Sequence, residues 1–489
     1  MDKANKYLKL AFIIVLFIFS LIWFLDFAYT AKYDQKDSYK SYKDYKLNYE
    51  VRSKKALEAN SIDSLKGVIN LGNGEYLFYG DTKSFTQNGA DFLFLMVKEN
   101  SNEYLADVGV LSGLFNDNLI SVKKYKDYLL AVGNTWSYNQ DTLEDILVSV
   151  LDSSLNLVNY YVISGNRQED VSNIVFVDDN PYILASTRSA TFGKENSLII
   201  KLDNNLDVNK MYLVGTNSED KPYYLYKLSA NKYLLMGNYS KSTDNKDIYV
   251  SILDSNFNFI RGFAFGGAFD EYIKDFVLYK DKLILISQSR SFKPYEKENI
   301  LINLVDLKSM KILRSLALGT INDDFYLDYL LNNDKLILFV DSKNKDTSNL
   351  FLVSLDPNNL NLGKVVSIND LLSPEATTYF SRLRSLFILS QDTKYIDMAV
   401  NVVNTNTLED FAIFKVDNFL SELDKNNYLK DYNISKYYLR ISKYPNLESY
   451  DLSMNTKSVY SKDLSDSTFK TDNNINVKYL KVDVNSIWK

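Results

Sequence analysis

The sequence predicts an all-β fold, a seven-bladed β-propeller held behind an N-terminal transmembrane helix and a helical stalk. Three phrases returning in one register carry the prediction. The first is an apolar run that breaks into small and polar residues. It starts at Tyr76 ("YLFYGDTKS"), Tyr128 ("YLLAVGNTWS"), Tyr182, Tyr233 ("YLLMGNYSKS"), Leu283, Leu336 and Tyr395. The second is an Asp or Asn followed by alternating apolar residues and closed by Asp, as in "DILVSVLD" (Asp145 to Asp152) and "DIYVSILD" (Asp247 to Asp254). The third is Gly followed four residues later by an acid: Gly113/Asp117, Gly165/Glu169, Gly215/Glu219, Gly266/Asp270 and Gly319/Asp323. A fixed period of roughly 50 residues is the mark of a repeat architecture.

Each unit reads as four short strands. Around residues 222–265 they are "PYYLYKLS", "KYLLMGNY", "DIYVSILD" and "FNFIRGFAF", rich in Tyr, Ile, Val, Leu and Phe and bounded by turn residues. Four-stranded units arrayed about an axis make a propeller, and closing the ring leaves no long open edge. The apolar run is then a buried second strand. The Asp that ends the third strand opens a turn, and the Gly of the third phrase takes a backbone conformation that other residues resist.

Four regions follow. Residues 1–31 form a cytoplasmic tip and anchor. Lys3, Lys6 and Lys9 precede an uncharged stretch, "LAFIIVLFIFSLIWFL", which ends at Leu25, and Trp23 and Tyr29 suit a membrane interface. The lysines keep the N-terminus inside, so the rest lies in the periplasm or outside the cell. A signal peptide cut after "AYT" is the rival reading. Residues 32–62, without Gly or Pro, form the stalk or linker, and a coiled coil there would drive oligomerisation. Residues 63–420 form the seven blades. Residues 421–489 form a β extension that completes a blade or makes a degenerate eighth.

Composition narrows the chemistry. The 489 residues include 38 Tyr and only 17 Gly and 6 Pro, too structured a mixture for a disordered chain. With no Cys there are no disulfides, no thiol nucleophile and no lipoprotein anchor. With no His as well, the common zinc sites and Ser-His or Cys-His catalysis are excluded. A net charge of −6 argues against nucleic acid as a partner. No enzyme motif, cofactor site or metal site is expected. Calcium needs only oxygen ligands and stays open.

The stretch "YLLMGNYSKS…DIYVSILDSNFNFIRGFAFGGAFDE" resembles a class of bacterial extracytoplasmic β-propellers with a "Y-L-G-x-x-x-S … D-x-x-hydrophobic-LD … FGG-x-x-D" blade pattern. The resemblance speaks to fold and says little about function.

Long irregular loops on a rigid scaffold are where binding concentrates. Here they join second to third strands: "NTWSYNQDTLED", "TRSATFGKEN", "NYSKSTDNKD" and "QSRSFKPYEKEN". They would present Trp136, Tyr138, Arg188, Phe192, Tyr239, Arg290, Phe292 and Tyr295 as a binding face, aromatic and Arg residues being common interface anchors. The expected role is a protein-interaction scaffold tethered to the inner membrane within a cell-envelope assembly. The alternative is a glycan-binding or glycan-cleaving propeller that works with carboxylates.

Overall fold

The computed structural model describes residues 50–417, apart from stretches at 54–55, 59–62, 84–88, 101–102, 114, 138–143, 193, 243–244, 292–296, 321, 333, 344–347, 368–382, 392–394 and 403–409. Beyond them it describes five strands between 440 and 483. The expected anchor and most of the expected stalk lie outside the described residues. Every regular element described is a β-strand. Among the described residues no helix is long and apolar enough to cross a membrane.

Strands β1 (Glu50–Ser53) and β2 (Ala56–Glu58) come first. Unit I is β3 (Asp63–Gly72), β4 (Glu75–Thr82), β5 (Asp91–Asn100) and β6 (Glu103–Ser112). Unit II is β7 (Asp117–Tyr125), β8 (Tyr128–Thr135), β9 (Asp145–Asp152) and β10 (Leu157–Ser164). Unit III is β11 (Glu169–Val177), β12 (Asn180–Thr187), β13 (Asn196–Leu202) and β14 (Val208–Gly215). Unit IV is β15 (Glu219–Ser229), β16 (Lys232–Ser242), β17 (Asn245–Asp254) and β18 (Phe259–Gly266). Unit V is β19 (Glu271–Tyr279), β20 (Lys282–Ser289), β21 (Asn299–Asp306) and β22 (Lys311–Gly319). Unit VI is β23 (Asp323–Asn332), β24 (Lys335–Lys343), β25 (Ser348–Leu355) and β26 (Leu362–Ser367). In all six the strands pair in chain order as antiparallel meanders.

The repeat predicts seven contiguous four-stranded blades, and the structure corrects this to six. The last repeat supplies three strands of its own, β27 (Leu383–Gln391), β28 (Tyr395–Val402) and β29 (Asp410–Asp417). Its sheet is completed from the other end of the chain, because β2 pairs with β29 and β1 with β2. These two strands fall within residues 32–62, where the sequence predicts a helical stalk. The edge of β29 offers unpaired N–H and C=O groups, and a strand satisfies them where a helix would not.

The C-terminal strands are spread around the units. They are β30 (Arg440–Ser442), β31 (Glu448–Asp451), β32 (Asn455–Val459), β33 (Lys470–Asp472) and β34 (Lys478–Asp483). In that order they pair antiparallel with β22, β18, β14, β10 and β6, the fourth strands of units V, IV, III, II and I. The chain therefore retraces units V to I in reverse, adding a fifth strand to each of those five sheets, while unit VI keeps four.

The period-2 alternation of the second and third strands explains the packing. On β16, Leu235 packs into the core shared with unit III, while Leu234 and Met236 pack into the core shared with unit V. Each such strand is apolar on both faces because a neighbouring sheet covers each face, which is why the run lacks polar alternation.

Hydrogen bonds stitch every junction. Leu119 N–H donates to Asp81 Oδ1 at 2.7 Å between units I and II. Val171 N–H donates to Asn134 Oδ1 at 2.9 Å between II and III, and Asn173 Nδ2 donates to the Tyr223 carbonyl at 3.1 Å between III and IV. Asn238 Nδ2 donates to the Glu271 carbonyl at 2.6 Å between IV and V, and Tyr326 OH to Asp275 Oδ2 at 2.9 Å between V and VI. Ile388 N–H reaches Asp328 Oδ2 at 2.9 Å, and Asn70 Nδ2 reaches the Leu389 carbonyl at 3.2 Å. The last bond returns to unit I. The Asn of "VGNT" and "MGNY" is thus a hook into the next unit.

The turns after the third strands hold a feature the sequence hides. Asp254 Oδ1 accepts the N–H groups of Asn256 and Asn258, both at 2.8 Å, as a turn-forming Asp should. The left-handed residue of the turn, however, is apolar and buried: Leu155, Leu206, Phe257, Met310 and Leu360 all have φ between 53° and 67°. Burial between units offsets the roughly 1–2 kcal/mol that this conformation costs an L-residue.

Candidate functional site

Trp136, Arg188 and Arg290 occupy one position in units II, III and V, the first residue after the second strand. Each N–H is fixed by a carbonyl just ahead of the first strand: Trp136 by Asn116 (3.1 Å), Arg188 by Gln168 (2.9 Å) and Arg290 by Asp270 (3.4 Å). Both arginines are exposed, and Trp136 is half-buried. Arg188 Nε lies 2.9 Å from Glu195 Oε2, and Arg290 is paired with Glu298 in the same way. Exposed pairs of this kind add little stability but hold the guanidinium in place.

Other members of the expected face fare differently. Tyr239 is buried within β16 and belongs to the core between units III and IV, so it is not a binding residue. Its place in the strand alternation turns it inward. Phe192 is half-buried, and its N–H donates to Asn196 Oδ1 at 2.6 Å. Tyr138, Phe292 and Tyr295 lie outside the described residues.

The Gly-to-acid phrase is structural, with its register corrected in three units. In unit III, Glu169 accepts Gly165 N–H at 2.8 Å and the Thr187 hydroxyl at 3.0 Å. In unit II, Asp117 is held likewise by Ser137 at 3.1 Å and by the Gly113 backbone. In the other three the capping acid is the next residue along. Asp220, not Glu219, accepts Thr216 N–H (2.7 Å); Glu271, not Asp270, accepts Gly267 N–H (2.7 Å); Asp324, not Asp323, accepts Thr320 N–H (2.5 Å). Asp270 instead caps Lys246 N–H (2.8 Å), and Asp323 caps Glu298 N–H (3.0 Å). The inward acid keeps one place in all five units, four residues after the N–H it caps, and it is the glycine of the phrase that stands one position earlier in these three.

The glycines serve a different end from the one expected. Positive φ among the described glycines occurs only at Gly72 and Gly74. A Cβ on Gly266 would sit 1.8 Å from Asp247 Oδ1, and one on Gly319 would sit 1.8 Å from Asn299 Oδ1. Glycine is used there for space.

Burial pushes these acids up: Glu169 to about 7, and Asp117, Asp220 and Asp324 to about 6. On the same face, carboxylates from successive units gather around Lys221. Asp170 is ion-paired with it, and Glu144 is raised by burial, with Asp170 and Glu195 pushing in the same direction. The sequence gives no hint of this cluster, because its members are far apart in the chain. Among the described residues no group of three or more potential ligands is arranged to hold a metal ion.

These features place the chain in the β-propeller class. No family model matches the sequence, and no curated protein matches it. Comparison with solved structures finds the subtype N10 neuraminidase-like protein of A/little yellow-shouldered bat/Guatemala among the similar ones. Its identity is 10% and its TM-score 0.34, over 75% of this chain and 99% of that one. The subtype N11 neuraminidase-like protein of A/flat-faced bat/Peru is similar at 10% identity and a TM-score of 0.34, over 73% of this chain and 95% of that one.

Proposed function

We propose that this protein is a membrane-tethered extracytoplasmic scaffold that binds a protein partner of the bacterial cell envelope through the face bearing Trp136, Arg188 and Arg290. The observation that carries the proposal is the equivalence of those three positions. Three anchors of the kind that dominate interfaces are held by backbone hydrogen bonds on one face of a stiff frame, so little ordering cost remains on binding. The test is cross-linked capture from envelopes with Trp136→Ala and Arg188→Ala, alongside their melting points. Loss of the captured partner with an unchanged melt supports the reading. Full retention of the partner by both variants overturns the choice of face.

A second reading rests on the carboxylates around Lys221. Glu144, Asp170 and Glu195 are the residues with which a glycan-directed propeller could hold or cleave a sugar. Glycan-array binding that disappears in Asp170→Asn would favour it over the scaffold.

A further inference from the structure

Successive units meet at a repeated pair of buried polar side chains. One lies within the first three residues of a unit's third strand, and the other is the inward acid within the first two residues of the next unit's first strand. At the III–IV junction the pair is Asn196 and Asp220. Asp220 N–H donates to the Glu195 carbonyl at 2.9 Å, and Asn196 Nδ2 donates to Asp220 Oδ2 at 2.9 Å. At the II–III junction the backbone is the same, since Glu169 N–H donates to the Glu144 carbonyl at 2.8 Å. The residue after Glu144, however, is Asp145, so the amide is replaced by a second carboxyl. The IV–V junction repeats the substitution with Asp247 and Glu271. One oxygen of each lines the space beside Gly266, Asp247 Oδ1 lying 1.8 Å and Glu271 Oε2 2.9 Å from where a Cβ on that glycine would sit. Asp145, Glu169 and Glu271 are sealed from solvent, and Asp247 nearly so.

Two buried carboxylates that face each other cannot both ionise cheaply. The groups acting on Glu169 are the Ser189 and Thr187 hydroxyls, the Gly165 N–H and Asp145, and Ser164 acts on Asp145. Those acting on Glu271 are the Ser289 and Ser291 hydroxyls, the Gly267 N–H and Asp247. Asn238 is taken up by the Glu271 and Asp247 carbonyls. Of the cations nearby, Lys221 is paired with Asp170, and Lys246 lies over the Tyr272 ring.

We propose that the II–III and IV–V junctions are proton-linked: each pair of carboxyls holds one proton, which does the work of the Asn196 amide hydrogen at the III–IV junction. The ring is then tightest in mildly acidic surroundings. It loosens at these two junctions when the pair loses its proton, while III–IV keeps its amide bridge. Each pair titrates as a unit. Burial and the opposing carboxylate both raise Glu169, to about 7, and burial raises Asp145 to about 6. The folded state therefore keeps protons that the unfolded chain releases near pH 4, and stability falls as pH rises from there through the folded-state range.

The experiment is urea unfolding of the full chain in detergent between pH 5 and about 9, for the wild type, Asp145→Asn, Asp247→Asn and Asn196→Asp. A proton held in the folded state makes the unfolding constant rise about tenfold per pH unit across the titration range. Each Asp→Asn variant should lose up to one proton's share of that slope, and Asn196→Asp should gain one. Asp→Asn variants that keep the wild-type slope overturn the proposal, as does an Asn196→Asp variant whose slope is unchanged. If one variant fails to fold, the infrared carbonyl band of protonated carboxylic acids at about pH 6 is compared between the wild type and the variant that folds. Asp117, Asp220 and Asp324 contribute to both spectra, so the Asp→Asn variant should show the weaker band, and a band equal to the wild type's overturns the proposal.

Discussion

Phe257→Ala tests the packing of the units at its most exacting point. Phe257 sits in the turn after β17 at a φ of 61°, with its ring only 2% exposed. The ring lies 4.6 Å from Tyr212, 4.9 Å from Tyr233 and 5.9 Å from Tyr182, centroid to centroid. Those tyrosines belong to units III and IV, so the ring is a wedge between two sheets. Emptying such a site costs about 3–5 kcal/mol in lost transfer energy and cavity. Aromatic pairs contribute about 0.5–1.5 kcal/mol each beyond area, and three pairs are lost, so a cost near the top of the range is expected. Alanine leaves the left-handed strain in place, because it still has a Cβ. Phe257→Gly removes about 1–2 kcal/mol of that strain, roughly matching its extra losses in methyl burial and chain entropy. The two variants should therefore unfold at similar urea concentrations, whereas at an ordinary strand position glycine is clearly worse. A cost for Phe257→Ala below about 1 kcal/mol would refute the wedge. A glycine variant much weaker than the alanine variant would refute the strained turn.

Three further outcomes are expected. Leu235→Ala, in the core between units III and IV, should destabilise by about 2–5 kcal/mol in the same assay. Asn134→Leu should cost about 1–3 kcal/mol, because it strands the buried Val171 N–H and removes a 2.8 Å bond to Asp170; chemical denaturation compared with Asn134→Gln measures it. A fragment beginning at residue 49 should melt well above one beginning at residue 61, because the shorter one lacks β1 and β2 and leaves the edge of β29 unpaired; equal melting curves would count against that pairing.

The repeat was legible because every copy solves the same local problem. A second strand that must be apolar on both faces produces a run such as "YLLMG", and a turn that must be held from within places Asp at its start. Whatever depends on contact between copies was not legible. The Asn of "VGNT" looks like the end of an apolar run, yet it accepts a hydrogen bond from Val171 in the next unit. Tyr239 and Trp136 follow similar apolar runs, and only the strand alternation and the point where each strand ends decide that one is core and the other half-buried beyond its strand. The shift from Glu219 to Asp220, from Asp270 to Glu271 and from Asp323 to Asp324 shows the same limit, since the capped N–H belongs there to the residue after the glycine and only the contact reveals which acid turns inward.

Closure of the ring was the least legible feature, and it has a physical cause of its own. A strand that adds to the edge of a finished sheet does not need a strong pattern, because most of its energy comes from backbone groups that any residue other than proline supplies. Strands β1 and β2 carry "EVRS" and "ALE", which read as helix formers in isolation. Their partner is fixed only once residues 383–417 have built a sheet with an open edge. The same holds for the five short C-terminal strands, each of which meets an edge already formed by a fourth strand. Local propensity specifies the units, and the exposed edges of those units then recruit the two ends of the chain. The units should therefore gain protection from hydrogen exchange before the terminal strands do, and a burst of early protection at residues 50–58 would contradict that order.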